Sequence, residues 1–230
     1  MQLVMSLQCP FVDRIKATCD FAIVPSRGSW YSMGREKATG LHIGMIDESG
    51  RVMSFDRNGI SLDEGPNWSQ CLPLDFMKYV NDSVGLCKDL SDMFQGLWGQ
   101  AFKDIESKNE LLEMTESKFD DDTNNCFDFA LVFLQLVRDR IADQVRMTDN
   151  RHLRPLIDLM GELMSDKEQF VMRIVLPKTK VAACYLALDR KMKANEFTVD
   201  QSVLNNYETS WPSRASAHKR AEITGDSNRV

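Results

Sequence analysis

The feature that most constrains the fold of this sequence is a nearly uninterrupted apolar segment at residues 123–137. Its apolar side chains cover almost every direction around a helical turn, and only Asp128, Gln135 and Asp139 line up as a narrow polar stripe. A helix that is apolar nearly all round lies inside a domain rather than on its surface. We therefore predict a buried central helix that continues to about Val145.

The start of this predicted helix carries capping residues and a cysteine. Thr123, Asn124 and Asn125 each have a side-chain oxygen that can accept from the free N–H groups of a first helical turn. Cys126 then falls at the amino end of the helix, where the aligned backbone dipoles favour a thiolate. A cysteine nucleophile needs this position, but an ordinary buried cysteine occupies it equally well.

The clearest β signal is the segment at residues 41–55, LHIGMIDESGRVMSF. Two short apolar runs flank a loop at residues 47–50 that ends in glycine, which is typical of a β-hairpin. Because side chains alternate along a strand, His42 shares a face with Gly44, and the glycine leaves space beside the imidazole. Imidazole is the usual base for a cysteine nucleophile. A sheet packed on the central helix would bring His42 to Cys126, and the alternative is a half-buried structural histidine.

The other apolar runs predict one α+β domain over residues 1–204, with a small antiparallel sheet packed on the buried helix and further helices around it. Further strands are predicted at residues 21–24, ended by Pro25, and at residues 68–74, with Asn58–Gly59 as a turn between strands. Helices are predicted at residues 76–80, over about 93–105, after Pro155, and again from a Thr179 cap that follows a short apolar run closed by Pro177. Residues 205–230 are mostly small, polar or charged, which predicts a disordered tail.

Composition and charge exclude several classes of protein. The net charge of −6 gives no broad basic surface for nucleic acid or anionic lipid. The six cysteines are scattered, with no C-x-x-C pair, so we expect reduced thiols, no metal site and no cofactor. We find no signal peptide and no segment long and apolar enough to span a bilayer. The sequence therefore predicts a soluble cytoplasmic protein.

Four blocks of this chain resemble one family. The blocks are LHIGMIDESGRVMSF, the W-x-x-x-L-P-L of residues 68–74, NNCFDFALVFL and VLPKTKVAACYLAL. They occur in the same order over roughly residues 26–192 and are similar to the makorin-2 opposite-strand protein family. That family name describes a genomic neighbour, so the resemblance implies no activity.

More distantly, H-I-G-M followed by N-C-x-x-F resembles the permuted papain-like thiol proteins. These include the lecithin retinol acyltransferase, NlpC/P60 and deSUMOylating-isopeptidase groups, in which a histidine lies on a strand and the cysteine begins a later helix. The resemblance implies a permuted papain-like fold with Cys126 as nucleophile and His42 as general base. It also puts Ser54 where relatives place the group that orients the imidazole, and the Cys126 N–H in an oxyanion hole.

Two functions remain open at this level. The first is a cysteine hydrolase or acyltransferase that forms a thioester on Cys126, in which case Cys126 is the most reactive thiol of the chain. The acidic run at residues 120–122 opposes thiolate formation. The second is a catalytically inactive protein-interaction module on the same fold, which binds through its acidic surface or its tail. The partner is accordingly a substrate or another protein.

Overall fold

The computed structural model of the chain describes residues 8–32, 40–63, 66–85, 88–107, 114–148 and 151–193. The predicted disordered tail, residues 205–230, and the domain boundary before it lie outside the described residues. The predicted α+β class, with an antiparallel sheet packed on a central helix, is confirmed.

Five antiparallel strands form the sheet. Their bounds are Phe21–Pro25 for β1, Leu41–Ile46 for β2, Val52–Asp56 for β3, Gly59–Asp63 for β4 and Leu72–Pro73 for β5. They lie side by side in the order β4-β3-β2-β1-β5. The strand that ends at Pro25 and the β2–β3 hairpin are confirmed. The predicted strand at residues 68–74 is shorter, because the chain makes a 3-10 turn at Pro66–Trp68 and pairs as β5 only afterwards.

The strand β4 was not among the predictions. It follows a tight turn in which the Asn58 N–H donates to Asp56 Oδ1 at 2.7 Å. Ile60 and Leu62 alternate with Ser61, which is the period-two pattern of a half-buried strand. The run is only five residues long, so its pattern is hard to separate from that of a polar loop.

Six α-helices accompany the sheet in the described part of the chain. Their bounds are Phe76–Val84 for α1, Lys88–Ser107 for α2, Cys126–Thr148 for α3, Arg154–Met164 for α4, Lys167–Phe170 for α5 and Leu176–Lys193 for α6. The predicted central helix is α3, which packs against β2, β3, α2 and α4. Phe129, Phe133 and Val137 are fully buried along it. Pro155 lies in the first turn of α4, as predicted.

The segment before α6 differs from its prediction. We predicted that a short apolar run ends at Pro177 and that Thr179 then caps a last helix, and this is wrong. α5 continues through a π-helical turn, Val171–Val175, directly into α6, with Pro177 as its second residue. Proline lacks an N–H and its ring crowds the carbonyl four residues back, and the wider turn before it relieves both problems. The Thr179 hydroxyl donates to the Leu176 carbonyl at 3.0 Å, inside the helix.

The sheet has two faces of different character. One face meets the helices through an aromatic core, in which the Trp98 ring lies 4.6 Å from Phe133 and 4.9 Å from Phe21, both edge to face. The opposite face carries a smaller apolar cluster, made of Ala17, Ala22, Ile46, Val52, Trp68 and Cys71. Because strand side chains alternate, each strand contributes to both faces.

A buried carboxyl lies where β1 meets α1. Asp20 Oδ1 accepts from the N–H groups of Phe21 at 2.7 Å and Phe76 at 2.9 Å, so it holds the amino end of α1 against the sheet. Burial raises the pKa of Asp20 to about 7, and the neighbouring charge of Asp75 acts in the same direction. Asp75 itself forms an ion pair with Lys178 of α6.

This carboxyl makes stability depend on pH. The folded-state pKa lies above the unfolded one, so its contribution is full near pH 4 and is lost as the pH rises through about 7. Asp20→Asn keeps an oxygen acceptor without the charge, and we expect it to raise the unfolding free energy at pH 8 by up to about 4 kcal/mol. Denaturant melts from pH 5 to 8 measure this. Asp82→Asn, on the exposed side of α1, is the control. If the unfolding free energies of wild type and Asp20→Asn changed with pH in parallel, the prediction would be wrong.

The centre of α3 provides a second prediction. We expect Phe133→Ala to cost about 3–5 kcal/mol of unfolding free energy, because the ring is fully buried against Phe21 and Trp98. Phe127→Ala, half-buried on the same helix, is the matched control and should cost clearly less. Denaturant melts decide, and a loss below about 1 kcal/mol at Phe133 would mean that α3 is not central.

Candidate functional site

The amino end of α3 is held by reciprocal capping. Asn125 Oδ1 accepts from the Phe127 N–H at 2.9 Å, and the Asn125 N–H donates to Asp128 Oδ2 at 3.0 Å. Lys167 of α5 donates to the same Asp128 oxygen at 2.9 Å. Of the three predicted capping residues, Asn125 is therefore the cap, and Cys126 is the first residue of the helix.

The thiol of Cys126 points at the backbone of β2. Its sulfur lies 4.0 Å from the Leu41 carbonyl oxygen, and the Ile43 N–H is near enough to lower the pKa of the thiol. The β2–β3 ladder ends at the pair of Gly44 and Ser54, so Ile43 lies one position beyond its last rung. The sulfur thus lies beside backbone groups of β2 that a further rung of the ladder would have used. Cys126 is only 6% exposed.

The surroundings of this thiol disfavour its charged form. Burial raises the pKa of Cys126 above its ordinary value, and the charge of Asp128 adds to the rise. The N–H groups of Ile43, Cys126 and Phe127 act in the opposite direction. The expected effect of the helix amino end is therefore present, but burial outweighs it, and the pKa of the Cys126 thiol lies above its ordinary value.

His42 lies on the opposite face of the sheet from Cys126. The side chain of Ile43 belongs to the core on the helix face, so its neighbour His42 points the other way. The imidazole ring lies 5.9 Å from the indole ring of Trp68, which covers that face. The side chain of His42 therefore points away from the helix face, where Cys126 lies in the core cluster.

The space predicted beside His42 is occupied. A methyl group added to Gly44 would lie 2.8 Å from Trp68 Cη2 and 2.5 Å from Val52 Cγ1, so the indole packs directly on the glycine. The indole N–H of Trp68 is not needed for this contact, which is apolar. The sequence predicts Trp68 in a strand and does not show that its ring packs over Gly44. The signal that could have indicated this is Gly44 itself, a residue small enough to admit a large ring.

Ser54, the predicted orienting residue, shares a face with His42. Its hydroxyl oxygen lies 3.2 Å from that of Ser61 on β4, so it forms a cross-strand hydrogen bond there. Asp56 also points to this face, because β3 is regular over its whole length. Burial lowers the pKa of His42, and the charge of Asp56 acts in the opposite direction. The structure thus brings His42 and Ser54 to one face and leaves Cys126 on the other.

The rest of the described chain adds no further constellation. Its five cysteines, Cys9, Cys19, Cys71, Cys126 and Cys184, are free thiols. Within the described ranges, no three His, Cys, Asp or Glu side chains are grouped so as to hold a metal ion. No helix in those ranges has the length and apolar character needed to cross a lipid bilayer.

Fold and site together define an α+β domain whose central helix begins at a buried thiol bound to the sheet backbone. The chain belongs to the DUF4796 C-terminal family, whose model matches residues 4–192. It is similar to the MKRN2 opposite strand protein of Homo sapiens, with 20% identity over 195 residues, which are 85% of this chain and 72% of that protein. The family resemblance read from the four sequence blocks is confirmed. No solved structure matches the chain.

The contact between Gly44 and Trp68 can be tested directly. We expect Gly44→Ala to cost about 1–3 kcal/mol, because the added methyl forces Trp68 and Val52 apart. Thermal melts and Trp fluorescence measure this. Gly96→Ala in α2 is the matched control, since a methyl there meets nothing within 4 Å. It should be neutral or stabilise by up to about 1 kcal/mol. Equal effects of the two changes would show that Trp68 does not cover this face.

Proposed function

We propose that this protein is a protein-interaction module without thiol catalysis, in which Cys126 has a structural role. The observation that carries the proposal is that His42 points to the face of β2 opposite the core cluster in which Cys126 lies. Attack of a thiol on a carbonyl requires a base within hydrogen-bond reach of the sulfur. The groups that contact the sulfur are instead the backbone atoms of Leu41 and Ile43.

The structural role of Cys126 follows from those two contacts. The thiol donates to the Leu41 carbonyl and lies beside the Ile43 N–H, so it joins the amino end of α3 to the strand where the β2–β3 ladder stops. A substrate carbonyl would have to displace these contacts and reach Cys126, a residue that is only 6% exposed. Burial also favours the thiol over the nucleophilic thiolate.

The thiol hydrolase or acyltransferase hypothesis, and with it the papain-like comparison, stays a prediction. To bring His42 to the helix face, β2 would have to shift its register by one residue. Such a shift moves every side chain of a strand to the other face, so Ile43 and Met45 would leave the core. Catalysis through this pair therefore requires a rearrangement of the core.

Thiol labelling separates the two hypotheses. We expect Cys9, which is exposed, to be alkylated faster than Cys126 near neutral pH, and Cys126 to become reactive only as denaturant opens the fold. His42→Ala should leave the Cys126 rate unchanged. Burial raises the pKa of Cys19 to about 11 and that of Cys71 to about 12, so these two serve as buried reference thiols. Timed alkylation read by peptide mass spectrometry gives all the rates.

The opposite result would support an enzyme. In that case Cys126 is labelled first, His42→Ala slows it, and a fluorogenic thioester, ester or amide leaves an acyl adduct on the wild type that Cys126→Ser lacks. Absence of any adduct with all three substrate types, together with slow labelling, is the outcome that we expect. As part of the same proposal we place the protein in the cytoplasm, where free thiols persist.

A further inference from the structure

The last described helix, α6, carries apolar residues on two of its sides. Ala182 and Leu186 belong to the main apolar core of the domain. Val181, Leu188 and Met192 follow one another at steps of seven and four residues, so they lie along a second side of the helix, which we call the α6 stripe. Apolar residues at such steps are typical of a helix surface that packs on another helix.

The described core does not account for the cover of the α6 stripe. Val181 is 5% exposed and Leu188 is 7% exposed, but neither belongs to either apolar cluster of the described residues. Met192, at the end of the stripe, is 47% exposed. A buried apolar side chain packs against other apolar side chains. The stripe therefore needs an apolar partner in addition to these two clusters.

The sequence after α6 has the pattern of such a partner. Residues 194–230 lie outside the described residues. Within them, Thr198 followed by Gln201 is the pattern of a capping box at a helix start, and Pro212 is typical of a helix end. Between these two signals, the larger apolar residues fall on one side of a helix: Val199, Val203, Leu204, Tyr207 and Trp211. The sequence of residues 199–211 is therefore that of an amphipathic helix.

We propose that residues 199–211 form a helix that folds back on α6 and packs antiparallel along the α6 stripe. At a rise of about 1.5 Å per residue, the stripe is about 17 Å long and the new helix about 20 Å, so the two match in length. The connection, residues 194–198, has the usual length of a link between neighbouring helices. In this arrangement Leu204 lies opposite Leu188, and Trp211 lies opposite Val181.

The short connection favours this segment over a second copy or another protein as the occupant. A flexible link of this length keeps the segment beside the stripe at an effective concentration on the order of millimolar. The chain that we predicted to be disordered is then residues 212–230, because Tyr207 and Trp211 continue the spacing of Val199 and Val203. This inference goes beyond the proposed function and does not depend on it.

Peptide-level amide exchange of the full chain tests the docking. An isolated helix as short as residues 199–211 is marginal in water, so protection of its amides requires packing. We expect these residues to exchange about tenfold or more slowly than residues 213–230, which serve as the internal reference. The protection should be the same at low and at high micromolar protein, because the contact lies within one chain.

Two variants of the full chain weaken the contact from its two sides, each with a matched control. Val203→Asp puts a charge on the apolar side of the segment, and Asn205→Asp puts the same charge on its polar side. Leu188→Ser removes an apolar side chain from the stripe, and Ala187→Ser makes a similar change on the exposed side of α6. Val203→Asp and Leu188→Ser should each raise the exchange rate of residues 199–211 to that of the reference, and both controls should leave it unchanged.

Four outcomes would overturn the proposal. The first is exchange of residues 199–211 as fast as the reference, and the second is protection that persists in both Val203→Asp and Leu188→Ser. Protection that falls on dilution would assign the cover to a second copy. Faster exchange of residues 1–7 alone in Leu188→Ser would assign it to that segment.

Val203→Asp keeps the test decisive if Leu188→Ser destabilises the domain, because Val203 lies outside the described residues. The Cys126 labelling rates are an independent readout. Fast labelling in a protein whose residues 199–211 are protected would refute the proposed function and leave this inference standing.

Discussion

The burial of α3 against β2 and β3 is the interaction on which the rest of the structure depends. Phe133, at the middle of α3, contacts both Phe21 of β1 and Trp98 of α2, so a single ring joins the sheet to the neighbouring helix α2. Packing of this kind tolerates only small changes in volume or position. Once α3 is seated, the alternation of β2 assigns Ile43 to the core and, with it, His42 to the opposite face.

That opposite face is formed by a different set of residues. Trp68 closes over Gly44, and the glycine is required because any side chain would meet the indole and Val52 at less than 3 Å. The imidazole of His42 then lies beside the Trp68 ring, where burial lowers its pKa. The charge of Asp56, on the adjacent strand, acts on the pKa of His42 in the opposite direction.

The sequence predicts the positions of the helices and strands better than it predicts which face of a strand meets the helices. The apolar run around Phe133 and the glycine-ended loop after β2 are local signals, and both elements lie where they were predicted. Which face of β2 meets α3 is not a local signal, because Ile43 and Ile46 are both apolar and both buried, on opposite faces. Pro177 misled for a related reason: a proline normally ends a helix, but here the π-helical turn before it keeps the chain helical.

The same limit applies to Cys126. A nucleophile and a structural thiol both favour the first turn of a helix, so the position of the residue in the sequence cannot distinguish them. What distinguishes them is the group at the sulfur, and here that group is the backbone of β2 at the point where its ladder to β3 stops. Because this backbone would otherwise lack a partner, the thiol is needed where it is. In the structural role that we propose for Cys126, a reaction at the thiol would first have to break its contact with β2.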